Sequence, residues 1–272
     1  MGSILPHEVN DGSPWWGHAA CMTVHVRDDG PVRVVVLDRP EARGAVDGDH
    51  AKALFDAFTE FEARADLTVG ILTGSDGYFC AGADLLAVTA GTMTVVPPGD
   101  GPGPMGPTRL QLSKPVIAAV EGPAVAGGLE LALWCDLRVA SETAVFGVYC
   151  RRWGVPLIDG GTVRLPRVVG QGVALDLVLT GRAVGAEEAL RIGLANRVVP
   201  AGLALDAAQE LAEQLAALPQ LCLREDRASV LEQWALPFPE ALANEWRHGL
   251  VSLTEATAGA ARFAAGEGRH GA

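Results

Sequence analysis

Three short apolar runs, residues 32–37 (VRVVVL), 67–72 (LTVGIL) and 115–120 (PVIAAV), constrain the fold more than any other feature of the chain. Each is too short for a buried helix and is bounded by turn residues, so each reads as a strand. Between the first two, Asp47 or Asp49 can cap a helix on which Leu54, Phe58 and Phe61 fall at i, i+4 and i+7. Strand, helix and strand form a βαβ unit, with order expected to begin at Val32. After the third run, Gly127-Gly128 opens a helix through Leu133, and residues 137–140 (LRVA) return as a strand. From about Gly172 the spacing is helical, over residues 173–179, 186–192, 203–218, 223–234 and 240–253. The spacing therefore implies an α/β body with a helical C-terminal portion.

Composition narrows the chemistry. With 49% hydrophobic and 20% charged residues, and 33 Gly and 17 Pro dispersed over 272 positions, the chain is a folded protein, neither collagen-like nor disordered. Its net charge of −12 repels phosphate backbones and anionic headgroups, so no nucleic-acid partner and no membrane partner are expected. The most apolar region, residues 115–133, carries Glu121 and Glu130 and falls short of a membrane span. Five cysteines, Cys21, Cys80, Cys135, Cys150 and Cys222, are an odd number with no close pair, which fits a reducing cytoplasm and no metal knuckle. Residues 1–20 read as a loose arm, and the Gly/Pro-rich residues 90–107 as a lid or a disordered loop.

Several chemistries lack their parts. No serine sits in a GxSxG elbow, and neither GxxxxGK[ST] nor HExxH occurs. The fragment Gly170-Gln171-Gly172 lacks the third glycine of a dinucleotide fingerprint. Two segments remain. Phe79-Cys80-Ala81-Gly82-Ala83-Asp84-Leu85 is a turn of small residues that can expose amide N–H groups to a ligand. Ala124-Val125-Ala126-Gly127-Gly128-Leu129-Glu130 opens a helix and puts Glu130 in its first turn. Singly, the first reads equally as a tight turn and the second as a carboxylate complementing the helix dipole. Together they can polarise a carbonyl and move a proton at the adjacent carbon.

The chain resembles the enoyl-CoA hydratase/isomerase superfamily, the crotonases. The resemblance lies in LDRPEARGAV, FCAGADL, KPVIAAVEGPAVAGGLELALWCDLRVAS, GGTVRLPRVVG and LTGRAVGAEEALRIGLANRVVP, found in the family's order between Val32 and Pro200. It implies a crotonase-like spiral of ββα units over residues 21–200 and a helical trimerisation region over 201–272, assembling as a homotrimer or a dimer of trimers. It further implies acyl-CoA thioester substrates, with coenzyme A as part of the substrate and no separate cofactor or metal. By resemblance the N–H groups of Ala83 and Gly127 form an oxyanion hole, Glu130 is a catalytic acid/base, and Gly128 and Tyr149 bind the substrate. Ala81, Asp84 and Leu85 meet the coenzyme mainly through backbone, and Ala42 and Arg43 line its channel.

The sequence departs from the pattern where hydratases carry a second glutamate, and Cys150 stands there. A thiol can serve as an acid or base only if its pKa is lowered, which Arg151 and Arg152 could do; otherwise it is a buried inert cysteine. Asp159 is the other candidate acid, one residue later than the acid of several family members. Arg43-Gly44 replaces the usual Arg-Asn or Leu-Asn pair. Val148, Tyr149 and Trp153 suggest a bulky pocket wall. The expected activity is hydratase-like, with a single-carboxylate isomerase and a non-catalytic acyl-CoA-binding protein as alternatives.

Overall fold

A computed structural model describes residues 24–267, and the arm expected at residues 1–20 lies outside them. Strand β1 (Val24–Asp29) turns at Gly30-Pro31 into β2 (Val32–Leu37) as an antiparallel hairpin. Regular structure is therefore present at Val24–Asp29, ahead of the Val32 that the pattern suggests. Asp28 and Asp29 hide β1, because aspartate disfavours strands. Asp28 has a use here: it takes two hydrogen bonds from Arg33, at 2.7 and 3.0 Å, and so lets an arginine sit buried within β2.

The chain continues through β3 (Ala45–Val46), α1 (Gly48–Ala63), β4 (Val69–Gly74), β5 (Gly82–Ala83), α2 (Leu85–Ala90), β6 (Val116–Val120), β7 (Pro123–Val125) and α3 (Gly127–Trp134). It goes on through β8 (Leu137–Ser141), β9 (Val145–Gly147), α4 (Gly161–Val169), α5 (Gln171–Thr180), β10 (Ala183–Gly185), α6 (Ala186–Arg191), β11 (Arg197–Val199) and α7 (Ala204–Ala216). The six-stranded sheet has the order β1-β2-β4-β6-β8-β11 and is parallel from β2 onward. Side chains alternate across it. Val32, Val34, Val36, Ile71 and Ile117 pack against Ala204, Ala208 and Leu211 of α7. Val35, Leu37 and Leu72 face the opposite way, toward Leu54, Phe58 and Phe61 of α1. Asp47 starts α1 by accepting from the N–H groups of Asp49 and His50, both at 3.0 Å.

Two small sheets, β3-β5 and β10-β9-β7, lie beside the main one, and they carry the turns singled out above. Their strands are two or three residues long, too short to leave a periodic signature. Residues 103–108, within and just past the stretch read as lid or disorder, are all buried, whereas most of residues 91–100 are exposed. Helices α8 (Gln220–Glu232) and α9 (Phe238–Ala264) complete the chain. The last extends beyond the expected Leu253 through an alanine-rich stretch, which favours helix without supplying an apolar period. Leu231, Leu242 and Trp246 are exposed on this pair, as is Trp234 in the turn between them. Among the described residues, no helix is long and apolar enough to cross a membrane, and no group of three or more His, Cys, Asp or Glu is placed to hold a metal ion.

Candidate active site

The first wall of the site is the β3-β5 pair. Ala81 donates to the Arg43 carbonyl at 3.1 Å and Asp84 to the Val46 carbonyl at 2.8 Å. Neighbouring N–H groups along β5 point to opposite edges, so with the Asp84 N–H directed at β3 the Ala83 N–H next to it points away. Gly82, at φ +98°, lets the start of α3 come close: a methyl there would lie 2.9 Å from the Gly127 nitrogen. The Asp84 carboxylate has a local task. It caps α2 through the Leu86 N–H at 2.8 Å and pairs with Arg39 at 2.9 Å.

The second wall is the turn into α3. Ala126 sits at φ 54° and ψ −123°, a backbone conformation that costs an L-residue about 1–3 kcal/mol. Its N–H is held by the Gly147 carbonyl at 2.8 Å, and its carbonyl accepts from Leu129 and Glu130 at 3.1 and 3.3 Å. Gly127, the first residue of the helix, has no intrahelical acceptor for its N–H. That amide begins the helix beside Ala83, where negative charge is favoured. A methyl on Gly127 would lie 2.6 Å from the Met105 sulfur, and one on Gly128 would collide with the Cys80 carbonyl. Gly128 is thus a packing glycine and does not line the cavity described below.

Two carboxyl groups form the floor. Glu130 is 2% exposed, and its Oε1 accepts from the Asp159 N–H at 2.9 Å and the Gly161 N–H at 2.8 Å. Burial is the main cause that raises its pKa to about 7, the Asp159 charge adds to the rise, and the two N–H groups oppose it. Asp159 is 4% exposed, and its Oδ1 accepts from the Met105 N–H at 3.1 Å and from the Thr108 hydroxyl. Burial raises its pKa too, against the Thr108 and Met105 hydrogen bonds and the charges of Arg109 and Arg164. Among the described residues, no group hydrogen-bonds to Glu130 Oε2 or Asp159 Oδ2. Arg164 steadies the assembly from beneath, donating to the carbonyls of Asp159 at 2.9 Å and Thr108 at 2.7 Å.

These groups border a mostly apolar cavity of about 620 Å³. Arg43, Ala81, Ala83, Leu85, Gly127, Glu130, Tyr149, Cys150 and Asp159 all line it, whereas Ala42, Asp84 and Gly128 do not. Cys150 is a buried thiol whose pKa is raised, first by burial and then by the Glu130 charge. The arginines expected to activate it are engaged elsewhere: Arg151 donates to the Val178 carbonyl at 3.1 Å, and Arg152 stacks 4.0 Å over the Tyr149 ring. Of the two sequence readings of Cys150, the raised pKa favours the buried inert thiol: the Arg151 charge lowers it by less than burial and Glu130 raise it. Met93, Val95, Pro104 and Met105, from the Gly/Pro-rich stretch, also face the cavity. Pattern reading missed them, together with Thr108, Arg109 and Arg164, because irregular loops carry no period.

The sequence model of the enoyl-CoA hydratase/isomerase family matches residues 27–263. The enoyl-CoA hydratase EchA19 of Mycobacterium tuberculosis is 39% identical over 230 residues, covering 81% of this chain and 85% of that protein. The carnitinyl-CoA dehydratase of Salmonella paratyphi A is 42% identical over 197 residues, covering 71% and 74%. A solved enoyl-CoA hydratase from Mycobacterium tuberculosis H37Rv superposes with a TM-score of 0.84 at 37% identity, covering 89% of this chain and 95% of that one. An α/β body with a helical C-terminal region, two amide-presenting turns and this breadth of likeness lead to one conclusion: the chain has the crotonase fold and belongs to the enoyl-CoA hydratase/isomerase family.

Proposed function

We propose that the protein hydrates 2-enoyl-CoA thioesters, using the Ala83 and Gly127 N–H groups as oxyanion donors and Glu130 with Asp159 as the proton-transfer pair. The observation that carries this reading is the pairing itself. Two buried acids are linked by the bond from the Asp159 backbone N–H to Glu130 Oε1, and each has one carboxyl oxygen without a partner among the described residues, beside the same apolar cavity. Relatives named as a hydratase and a dehydratase support chemistry that adds or removes water.

Glu130, its pKa raised to about 7 by burial, is the proton donor of the pair. Asp159, held by the Thr108 hydroxyl and the Met105 N–H, carries the charge and takes a proton from water as the water oxygen bonds to Cβ. The double-bond electrons move onto the thioester oxygen, where two preorganised donors are each worth ~3–4 kcal/mol. Glu130 delivers its proton to Cα, the carbonyl re-forms, and the product is the 3-hydroxyacyl thioester. Proton exchange through solvent resets the pair. Each positioned carboxyl contributes roughly 10²–10⁴-fold. Cys150 contributes wall, since its thiol stays protonated. Arg43, Ala81 and Leu85 border the coenzyme side, and the chemistry needs no cofactor beyond the coenzyme A of the substrate. The exposed apolar side chains of α8 and α9 support self-association as a homotrimer or a dimer of trimers.

The test follows wild type and Glu130→Gln with 2-enoyl-CoA and 3-enoyl-CoA. Loss of enoyl-thioester absorbance with formation of the 3-hydroxyacyl product supports hydration. Interconversion of the two enoyl isomers without that product replaces it with single-carboxylate isomerisation. Binding without turnover replaces it with an acyl-CoA-binding protein.

A further inference from the structure

A segment between two parts of the cavity wall is gathered by a single guanidinium. Arg109 Nη1 lies within hydrogen-bonding distance of four backbone carbonyls: Val96 at 2.9 Å, Pro102 at 3.1 Å, Pro97 at 3.3 Å and Gly101 at 3.4 Å. Two hydrogens on that nitrogen serve the nearer pair best and share out the rest. The segment they hold, residues 96–102 (VPPGDGP), contains three prolines, which have no N–H to donate and disfavour regular structure. Within the segment the Asp100 N–H reaches the Pro97 carbonyl at 3.2 Å, and Arg109 is the donor that ties the segment's two ends together from outside it.

The segment is tied to the site at both ends. Before it, Met93 and Val95 face the cavity; after it come Pro104 and Met105, with Met105 beside Gly127. Met105 and Thr108 then hydrogen-bond to Asp159. Gly103 fills the junction, where a methyl group would collide with both the Thr108 hydroxyl and the Asp159 carboxylate. The position of this wall and the position of the Asp159 carboxylate are thus set together.

A cavity of about 620 Å³ lies in the size range that encloses a drug-sized ligand. Its coenzyme side is bordered by Arg43, Ala81 and Leu85, and its remaining wall includes the apolar side chains of Met93, Val95, Pro104 and Met105. Each methylene laid against such a wall gains roughly fourfold in affinity, provided the wall stays in place. We propose that Arg109 is a positioning residue that fixes the wall of residues 93–105 and thereby selects bulky apolar acyl groups, medium-chain or ring-bearing, over short ones. This rests on the acyl-CoA reading above.

The experiment compares wild type, Arg109→Ala and Arg109→Lys with crotonyl-, 2-octenoyl- and 2-dodecenoyl-CoA, and follows deuterium uptake by residues 93–102. Wild type should favour the longer thioesters. In R109A the KM for 2-dodecenoyl-CoA should rise about tenfold, the crotonyl-CoA KM should change less than about threefold, and uptake should increase. The acid limb of kcat should move to higher pH in R109A, where a cation near Asp159 is lost, and stay in place in R109K. R109K should still lose long-chain preference, because an ammonium cannot span the carbonyls as a guanidinium does. An equal rise in KM for all three thioesters, or unchanged uptake, overturns the proposal. Titration with saturated acyl-CoAs separates the two readings. A wild type that binds none of them overturns the acyl-CoA reading and this proposal with it; binding whose chain-length ratio survives in R109A overturns the role of Arg109 alone.

Discussion

The peptide N–H of Asp159 donates to Oε1 of Glu130 at 2.9 Å, so the backbone of one candidate acid orients the carboxyl group of the other. Neither can be displaced without disturbing its partner. That coupling gives the site two protonatable oxygens at one cavity and makes the pair, rather than either residue, the unit to be tested.

Burial of Glu130 should appear as a dependence of stability on pH. Its pKa rises from 4.5 to about 7 on folding. Below pH 4.5 the group is protonated whether folded or unfolded, and its stabilisation is complete. As pH rises toward 7 the unfolded chain releases the proton first, so stability falls by on the order of 3 kcal/mol and then levels off. Glu130→Gln removes the titration, so thermal melts should show it more stable than wild type at pH 8 and little different at pH 4.5.

The two glycines at the start of α3 should fail differently. In Gly127→Ala the new methyl meets the flexible Met105 side chain, which can move. The fold should survive while kcat drops by about 10²–10³ through a displaced oxyanion donor. In Gly128→Ala the obstacle is the Cys80 carbonyl, which is backbone. Denaturant titration should show a loss of about 1–3 kcal/mol or more.

Cys150 should be dispensable for chemistry. With its thiol held protonated by burial and by the Glu130 charge, Cys150→Ala should keep kcat within about threefold of wild type. Iodoacetamide at pH 8 should leave this residue unmodified, as peptide mass analysis would show.

The apolar side of the C-terminal helices should mediate self-association. Replacing Leu242 and Trp246, both exposed in the single chain, with Glu should give a monomer by sedimentation velocity where wild type gives a larger species.

The long-range frame of the molecule was legible in its sequence because buried strands and amphipathic helices leave periods: VRVVVL became β2, and Leu54, Phe58 and Phe61 became the inner face of α1. The two glycine turns were visible from residue type, since small side chains mark close approach of backbone. Strand β1 was not visible, because its acids serve Arg33 and spoil its pattern. The arrangement of the floor was equally hidden. Whether Asp159 faces the cavity depends on contacts from Met105 and Thr108, some fifty residues earlier in a loop without periodicity. Family pattern drew attention to Cys150, yet its burial and the Glu130 charge outweigh the lowering effect of Arg151.

Hydration of a 2-enoyl-CoA by Asp159→Asn, measured with its affinity for the saturated acyl-CoA, tests the two-carboxylate account most directly. The account predicts that kcat falls about 10²–10⁴-fold, as far as in Glu130→Gln, while binding holds. Hydration at the wild-type rate in Asp159→Asn would contradict it and leave Glu130 to act alone.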